Sequence, residues 1–316
     1  MASGLAKKWS DFLAPKYWST WLVIGFLRVL GLLPFAIGSS LGRGLGSLLY
    51  YMAKRRRHIV EVNIRLCFPE LNEQEHSTLV KKVMQANAVG IVDAAWAYWG
   101  NIEKIKSVTT LKGFDLIARA QEKGKGVILL GAHFSTLDLG GLLFSFSGQQ
   151  AALVYRQHNN PLMDYMICKK RSRFSRVIER KKFRDMLRTM RNNQCLWYAP
   201  DQDFGAKGAV FVPFFGQTAA TITATTNMIG LNDSPIVMLS HHRRENDEGY
   251  IIEASTIDGL PSGNEEEDAR IINQAIEREV RKAPEQYMWV HRRFKTQPDG
   301  RHKLYGKQGK KPLKSG

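Results

Sequence analysis

From residue 126 onward the chain alternates short apolar runs with longer stretches of helical period, and this alternation restricts its fold more than any other feature. The runs are 126–131 (GVILLG), 151–155 (AALVY), 195–199 (CLWYA), 210–212, 235–240 (PIVMLS) and 250–253, bounded by turn-forming residues. Helical patterns at 136–147, 161–174, 181–192, 218–231 and 264–282 separate most of them. Strands joined through helices return parallel to one another. The spacing therefore predicts an α/β fold with a mostly parallel central sheet flanked by helices. Upstream, 58–100 reads as helical: Pro69 breaks the pattern, Asn72 supplies a cap, and Val80, Val83, Met84, Asn87, Ile91 and Ala94 recur at helical spacing. Ligands of open parallel sheets gather beyond the carboxyl ends of the strands, so the residues after each apolar run carry the functional question.

Residues 18–41 (WSTWLVIGFLRVLGLLPFAIGSSL) contain a single charge, Arg28. As one helix they would reach roughly 36 Å, enough to span a hydrocarbon core. Arg28 would cost about 2.5–3.5 kcal/mol at mid-bilayer, and Pro34 would kink or end the helix. An oblique, partly embedded helix is therefore equally allowed, and a buried helical hairpin is the soluble alternative. The stretch is too long for the apolar core of a signal peptide. Basic residues flank it on both sides, with a slight preference for a cytoplasmic body, and Tyr17, Trp18, Trp21, Tyr50 and Tyr51 fall at belt positions. The expected organisation is an N-terminal membrane-anchoring helix and basic junction over 1–57, an α/β domain over 58–302, and a basic, disordered tail over 303–316.

The formal net charge is +17. It is segregated: residues 151–200 hold 12 Lys/Arg against 3 Asp/Glu, and 281–316 hold 11 against 2. Such a charge calls for an anionic partner: nucleic acid, phospholipid headgroups, a phosphorylated substrate or an acidic protein. Between 169 and 191 the basic residues repel one another, a cost best understood if an anion docks there. Three cysteines make no disulfide framework and fit a reducing compartment.

After GVILLG comes Ala132-His133-Phe134-Ser135-Thr136-Leu137-Asp138. His133 is predicted in the turn after a strand, with Asp138 in the first turn of the next helix. A carboxylate that accepts from Nδ1–H leaves Nε2 as a general base near neutral pH. The same residues also fit a helix capping box, in which Asp138 serves backbone donors and His133 is incidental. Asp201 and Asp203 follow CLWYA; two carboxylates at this spacing can bind a metal or form a polar turn. No dinucleotide fingerprint, Walker loop, Gly-x-Ser-x-Gly elbow or zinc spacing is present, so neither a metal nor a nucleotide cofactor is expected.

The His-x4-Asp pattern is that of membrane glycerolipid and lipid A acyltransferases, and its surroundings narrow the match. YWSTWLVIGFLRVLGLLP with GRGLG, RRRHIVEVNIRLCFPEL, GVILLGAHFSTLDLGG, YRQHNNPLMD, YAPDQDFGAKGAVFVPFFGQTAAT and PEQYMWVHRRFKTQPDG occur in this order. Across nearly the whole chain the sequence resembles the lipid A late acyltransferases of Gram-negative bacteria. The resemblance implies a cofactor-free enzyme of the inner membrane, with its catalytic domain on the cytoplasmic side. It would take an acyl chain from acyl carrier protein, the acyl donor substrate, to a 3-hydroxyacyl hydroxyl of a Kdo2-lipid IVA type precursor. His133 would deprotonate that hydroxyl, Asp138 would hold the imidazole, and the alkoxide would attack the thioester directly.

Other residues take roles beside that chemistry. Arg156, after AALVY, can pair with an acceptor phosphate through its planar fork, with Arg180 and Arg184 as further phosphate candidates. Asp201 and Asp203 would border the substrate in a turn that orients the site. Phe211, Phe214 and Phe215 offer an apolar wall suited to an acyl chain, or ordinary core. Acyl carrier protein, the lipid A precursor and membrane phospholipids are the expected partners of a monomer. A glycerophospholipid acyltransferase is the alternative, though its FPEGTR-like motif is replaced by APDQDFG. A basic nucleic-acid-binding protein would leave 18–41 unexplained, so nucleic acid is not an expected partner; a non-catalytic membrane scaffold is the third reading.

Overall fold

The molecule is described by a computed structural model covering residues 8–245, 248–299 and 304–306. After two short 3-10 helices, Trp9–Phe12 and Pro15–Tyr17, four α-helices follow: α1 (Trp18–Leu32), α2 (Phe35–Met52), α3 (Lys54–Cys67) and α4 (Glu73–Trp99). A short α5 (Ile102–Ser107) leads to β1 (Thr109–Lys112), α6 (Phe114–Gln121), β2 (Val127–Leu130) and α7 (Leu137–Ser145). Then follow β3 (Ala151–Tyr155), α8 (Pro161–Arg171), β4 (Arg176–Glu179), α9 (Phe183–Arg191) and β5 (Cys195–Tyr198). The remainder is β6 (Ala209–Phe214), β7 (Gln217–Ile222), α10 (Ala224–Asn232), β8 (Ile236–Arg243), β9 (Tyr250–Ser255) and α11 (Glu265–Lys282).

Seven strands form one sheet in the order β1-β9-β8-β2-β5-β3-β4, and every neighbouring pair is parallel except β8–β9. This is the α/β architecture that the alternation predicts. Central β2 is buried along its whole length, and its side chains alternate between the two faces. Val127 and Leu129 pack with Leu139 and Leu143 of α7 and Trp96 of α4. Ile128 meets Met186 and Met190 of α9 and Met228 of α10 on the other face.

One expected helix is in part a strand. Residues 218–231 divide between β7 and α10, and β7 pairs antiparallel with β6 in a separate hairpin. Phe214 pairs with Gln217, leaving Phe215 and Gly216 as a two-residue turn, both at positive φ, the geometry that matches the twist of a tight hairpin. The β-branched Thr218, Thr221 and Ile222 suit the strand better than a helix.

The reading of 18–41 as one membrane-anchoring helix, spanning or oblique, is also corrected. The chain breaks at Leu33-Pro34 into α1, of 15 residues, and α2, of 18, and at about 1.5 Å per residue α1 reaches only about 22 Å. Among the described residues no helix is long and apolar enough to cross a membrane. Both helices instead pack on α4. Gly42 and Gly46 allow the approach, since a Cβ would lie 2.9 Å from Val89 Cα at the first and 2.4 Å from Gln85 Cα at the second. The outer face stays apolar and exposed, through Leu22, Phe26, Val29 and Leu32 of α1 and Ile37, Leu41, Leu45, Leu48 and Met52 of α2.

The expected boundary at residue 57 falls inside α3. Of the expected tail, residues 303 and 307–316 lie outside the described residues, while Tyr305 is buried and its hydroxyl donates to Asn63 Oδ1 at 2.5 Å.

Candidate active site

β2 and β5 are neighbours in parallel register, with Leu130 opposite Tyr198. Three residues beyond each partner stand His133 and Asp201, and the two meet. Asp201 Oδ1 lies 2.5 Å from His133 Nδ1, and Asp201 Oδ2 accepts from the His133 backbone N–H at 2.8 Å. Asp201 is buried. Burial alone would raise its pKa, but the His133 ring and the hydrogen bonds from His133 outweigh it and hold the carboxyl down at about 2. An ionised Asp201 accepts only, so Nδ1 carries a proton, and in the neutral ring it is Nε2 that presents a lone pair.

The loop bearing His133 is clamped by the C-terminal segment. Met288 N donates to His133 O at 2.9 Å, Ser135 N donates to Gln286 O at 2.7 Å, and Phe134 bridges Tyr287. Tyr287 and Trp289 are buried, so this segment closes the structure around the site. Burial, followed by the nearby His133 charge, lowers the pKa of His291, whose ring centroid is 6.2 Å from that of His133.

Asp138 does not hold the His133 ring. Set in the first turn of α7, it turns toward α4 and α8, where its Oδ1 accepts from the Tyr98 hydroxyl at 2.7 Å and from Arg171 Nε at 2.7 Å. Burial disfavours the Arg171 charge, but the Asp138 carboxylate more than offsets this and its pKa is raised. Arg171 and Tyr98 escape a reading by spacing, because one is buried in a basic run and the other is an aromatic in a long helix.

A cavity of about 170 Å³ opens beside His133. Asp138, Arg156 and Arg171 give it a polar end, while Leu129, Phe144, Ala151, Leu153, Phe174 and Leu239 make its apolar wall. Phe211, Phe214 and Phe215 are absent from that wall. The β6–β7 hairpin turns Phe214 and Phe215 into the core against Tyr287 and Phe68, and Phe211 is half-buried on β6. Asp203 is likewise outside that lining: it is buried, accepting from Thr296 N, Thr296 Oγ1 and Gly205 N. Arg180 is exposed, its guanidinium 5.8 Å from the Phe204 ring centroid, and Arg184 is exposed on α9. Among the described residues no group of three or more His, Cys, Asp or Glu is placed to hold a metal ion.

Residues 5–296 match the family model for bacterial lipid A biosynthesis acyltransferase. The chain belongs to this family. It is similar to the lipid A biosynthesis lauroyltransferase of Escherichia coli (strain K12), 36% identical over 301 residues, covering 94% of this chain and 98% of that protein. The lipid A biosynthesis palmitoleoyltransferase of the same organism is 33% identical over 298 residues, 93% of this chain and 97% of its own length. The corresponding myristoyltransferase is 26% identical over 307 residues, 96% and 95%. As a member of the lipid A acyltransferase family the chain is an enzyme of the acyltransferase class.

Proposed function

We propose that this protein transfers a fatty acyl group from an acyl carrier protein thioester to a 3-hydroxyacyl hydroxyl of a lipid A precursor of Kdo2-lipid IVA type. The observation that carries the reading is the His133–Asp201 pair set at the mouth of an apolar cavity. Nε2 of His133 takes the proton of the acceptor hydroxyl as its oxygen attacks the thioester carbonyl. The C–S bond breaks, and the departing thiolate recovers the proton from the imidazolium, which Asp201 stabilises. Arg171 supplies positive charge beside the oxyanion that forms in between, and Asp138 fixes it there. The acyl chain lies in the cavity along Phe144, Leu153 and Phe174. Arg156 at the cavity rim, with exposed Arg180 and Arg184 beyond it, faces acceptor phosphates and the acidic carrier.

The enzyme works on the cytoplasmic side of the inner membrane in this reading, and the outer face of α1 and α2 supports its place at a membrane surface. Folded monomers rarely leave so continuous an apolar stripe in water; embedded in one leaflet among phospholipids, it brings the cavity to the level of a lipid substrate. The test is transfer from labelled acyl carrier protein thioester to a tetra-acylated, Kdo-modified acceptor by the detergent-solubilised protein. Acylation of that acceptor is the expected result. No transfer at any chain length, or transfer to glycerol 3-phosphate instead, contradicts the proposal.

A further inference from the structure

Two contacts tie α1 to α8. Asn160 Nδ2, at the start of α8, donates to Thr20 Oγ1 at 2.9 Å, and Ile24 is buried with Leu162 and Tyr165. Thr20, Ile24 and Arg28 succeed one another at four-residue intervals along one face of α1, so the next turn carries Arg28, the sole charge of that helix, toward the far end of α8. Lys169, Lys170 and Arg173 gather there. Lys170 Nζ donates to Tyr98 O at 2.9 Å and stands 4.5 Å from the Trp99 ring centroid, and Arg173 Nη1 donates to the same carbonyl at 3.0 Å. Among the described residues none of these four cations has a carboxylate within ion-pair distance, whereas Arg171 is taken by Asp138.

Cations at helix C-termini are ordinary, and α4 and α8 both end at this cluster. Each end supplies about half a negative charge, so four cations retain a surplus of about three positive charges. The repulsion is felt: burial first, then Arg173, Arg28 and Lys169, lower the pKa of Lys170. The cluster also borders the catalytic cavity. The Tyr98 residue whose carbonyl gathers Lys170 and Arg173 holds Asp138 through its hydroxyl, and Phe174, next to Arg173, lines the cavity. Along α1, Arg28 is flanked by the exposed Phe26, Val29 and Leu32.

We propose that Arg28, Lys169, Lys170 and Arg173 form a binding site for a phosphate monoester of the glycolipid acceptor, which holds the acceptor hydroxyl in register with His133. This rests on the function proposed above. A monoester carries nearly two negative charges at neutral pH and answers the surplus better than the single charge of a phosphodiester headgroup. The position fits a group at the head of a lipid whose chains lie along α1.

The test is steady-state transfer by the full-length protein in neutral detergent micelles, using a bisphosphorylated diglucosamine acceptor and its two monophosphoryl forms. Lys170→Gln/Arg173→Gln keeps amide donors near the Tyr98 carbonyl, and Arg28→Gln lies away from it, so one of them reports even if the other misfolds. Each variant is expected to raise the acceptor KM about tenfold, the scale of one charge-assisted contact. The donor KM should not change, and the difference between acceptors with and without one of the phosphates should vanish. An unchanged acceptor KM, or an equal rise for every acceptor, overturns the site. So does weaker binding to phosphatidylglycerol vesicles with the micellar KM intact, which would assign the cluster to lipid headgroups. A wild type active with the same KM on all three acceptors overturns the site alone; a wild type that acylates none of them overturns the function beneath it.

Discussion

Asp201 fixes His133 twice, through ring Nδ1 at 2.5 Å and through the backbone N–H at 2.8 Å. Because β2 and β5 are parallel and in register, the two residues stand level at the carboxyl edge of the sheet, and the Nδ1 proton of His133 is held by a carboxylate 68 positions away in sequence. Asp201→Asn keeps an acceptor for the backbone N–H but loses the charge that stabilises the imidazolium. The acyl-transfer kcat should fall by about 10²–10⁴-fold, with acceptor and donor KM changed little. A variant within twofold of wild type would remove Asp201 from the mechanism.

Arg171 and Asp138 pay for each other's burial. Arg171→Met leaves the partly buried Asp138 beside Tyr98 without its cation and should destabilise the protein by about 1–3 kcal/mol. Asp138→Leu/Arg171→Met should restore much of that loss, since well-packed apolar groups commonly replace a buried pair without penalty, yet remain inactive. Denaturation midpoints alongside transfer rates check both halves; a stable and active double variant would show the pair to be purely structural.

Gly141 lies on the cavity wall, where a Cβ would meet Phe174 Cε2 at 2.8 Å. The obstacle is the edge of a ring that can turn. Gly141→Ala should therefore be tolerated, displace Phe174, and shift the preference toward shorter acyl chains. The kcat/KM ratio between the best wild-type chain and one two methylenes shorter should move by about tenfold or more. An unchanged ratio across donor chain lengths would place the acyl group elsewhere.

Acid should unfold the protein in two windows. Burial lowers His241 to about 3, the charges of His242 and His133 adding to it, while its Nδ1 and the Thr136 hydroxyl lie 2.8 Å apart. The unfolded chain binds this proton from about pH 6.5 downward and the folded chain does not, so stability falls as pH drops, by about 2 kcal/mol between pH 7 and 5. Asp201, lowered from 3.8 to about 2, contributes a similar amount that is present above about pH 4 and lost only below it. In His241→Asn the difference in stability between pH 7 and 5 should shrink by about 2 kcal/mol; no change would place that acid sensitivity in other groups, among them His242 and His291, whose pKa values are also lowered.

The outer stripe of α1 and α2 should govern membrane attachment. Phe26→Glu/Leu41→Glu alters two exposed positions, so the fold should persist while co-sedimentation with vesicles drops severalfold. Undiminished binding would move attachment to another surface.

The sheet was legible because its central strands are continuous apolar runs between turn residues, and His133 because it follows one of them directly. The partner of His133 was not. Asp138 lies five residues on and looks adjacent, but the first turn of α7 points it at Arg171 and Tyr98, whereas Asp201 becomes a neighbour only once β2 and β5 pair. The choice between acyl wall and core was open for a related reason: Phe214 and Phe215 are apolar enough for either, and the two-residue turn of the β6–β7 hairpin sends them into the core. The break at Pro34 was visible, but the pairing of α1 and α2 against α4 depends on glycines whose spacing acquires meaning when the opposing helix is present.

The most direct test of the central claim compares wild type with His133→Ala in transfer from acyl carrier protein thioester to the tetra-acylated, Kdo-modified acceptor. With Nε2 of His133 as the base, wild type should form the acylated product and the variant should lose at least about 10²-fold in kcat while still binding the acceptor. Full activity in His133→Ala would contradict the mechanism outright.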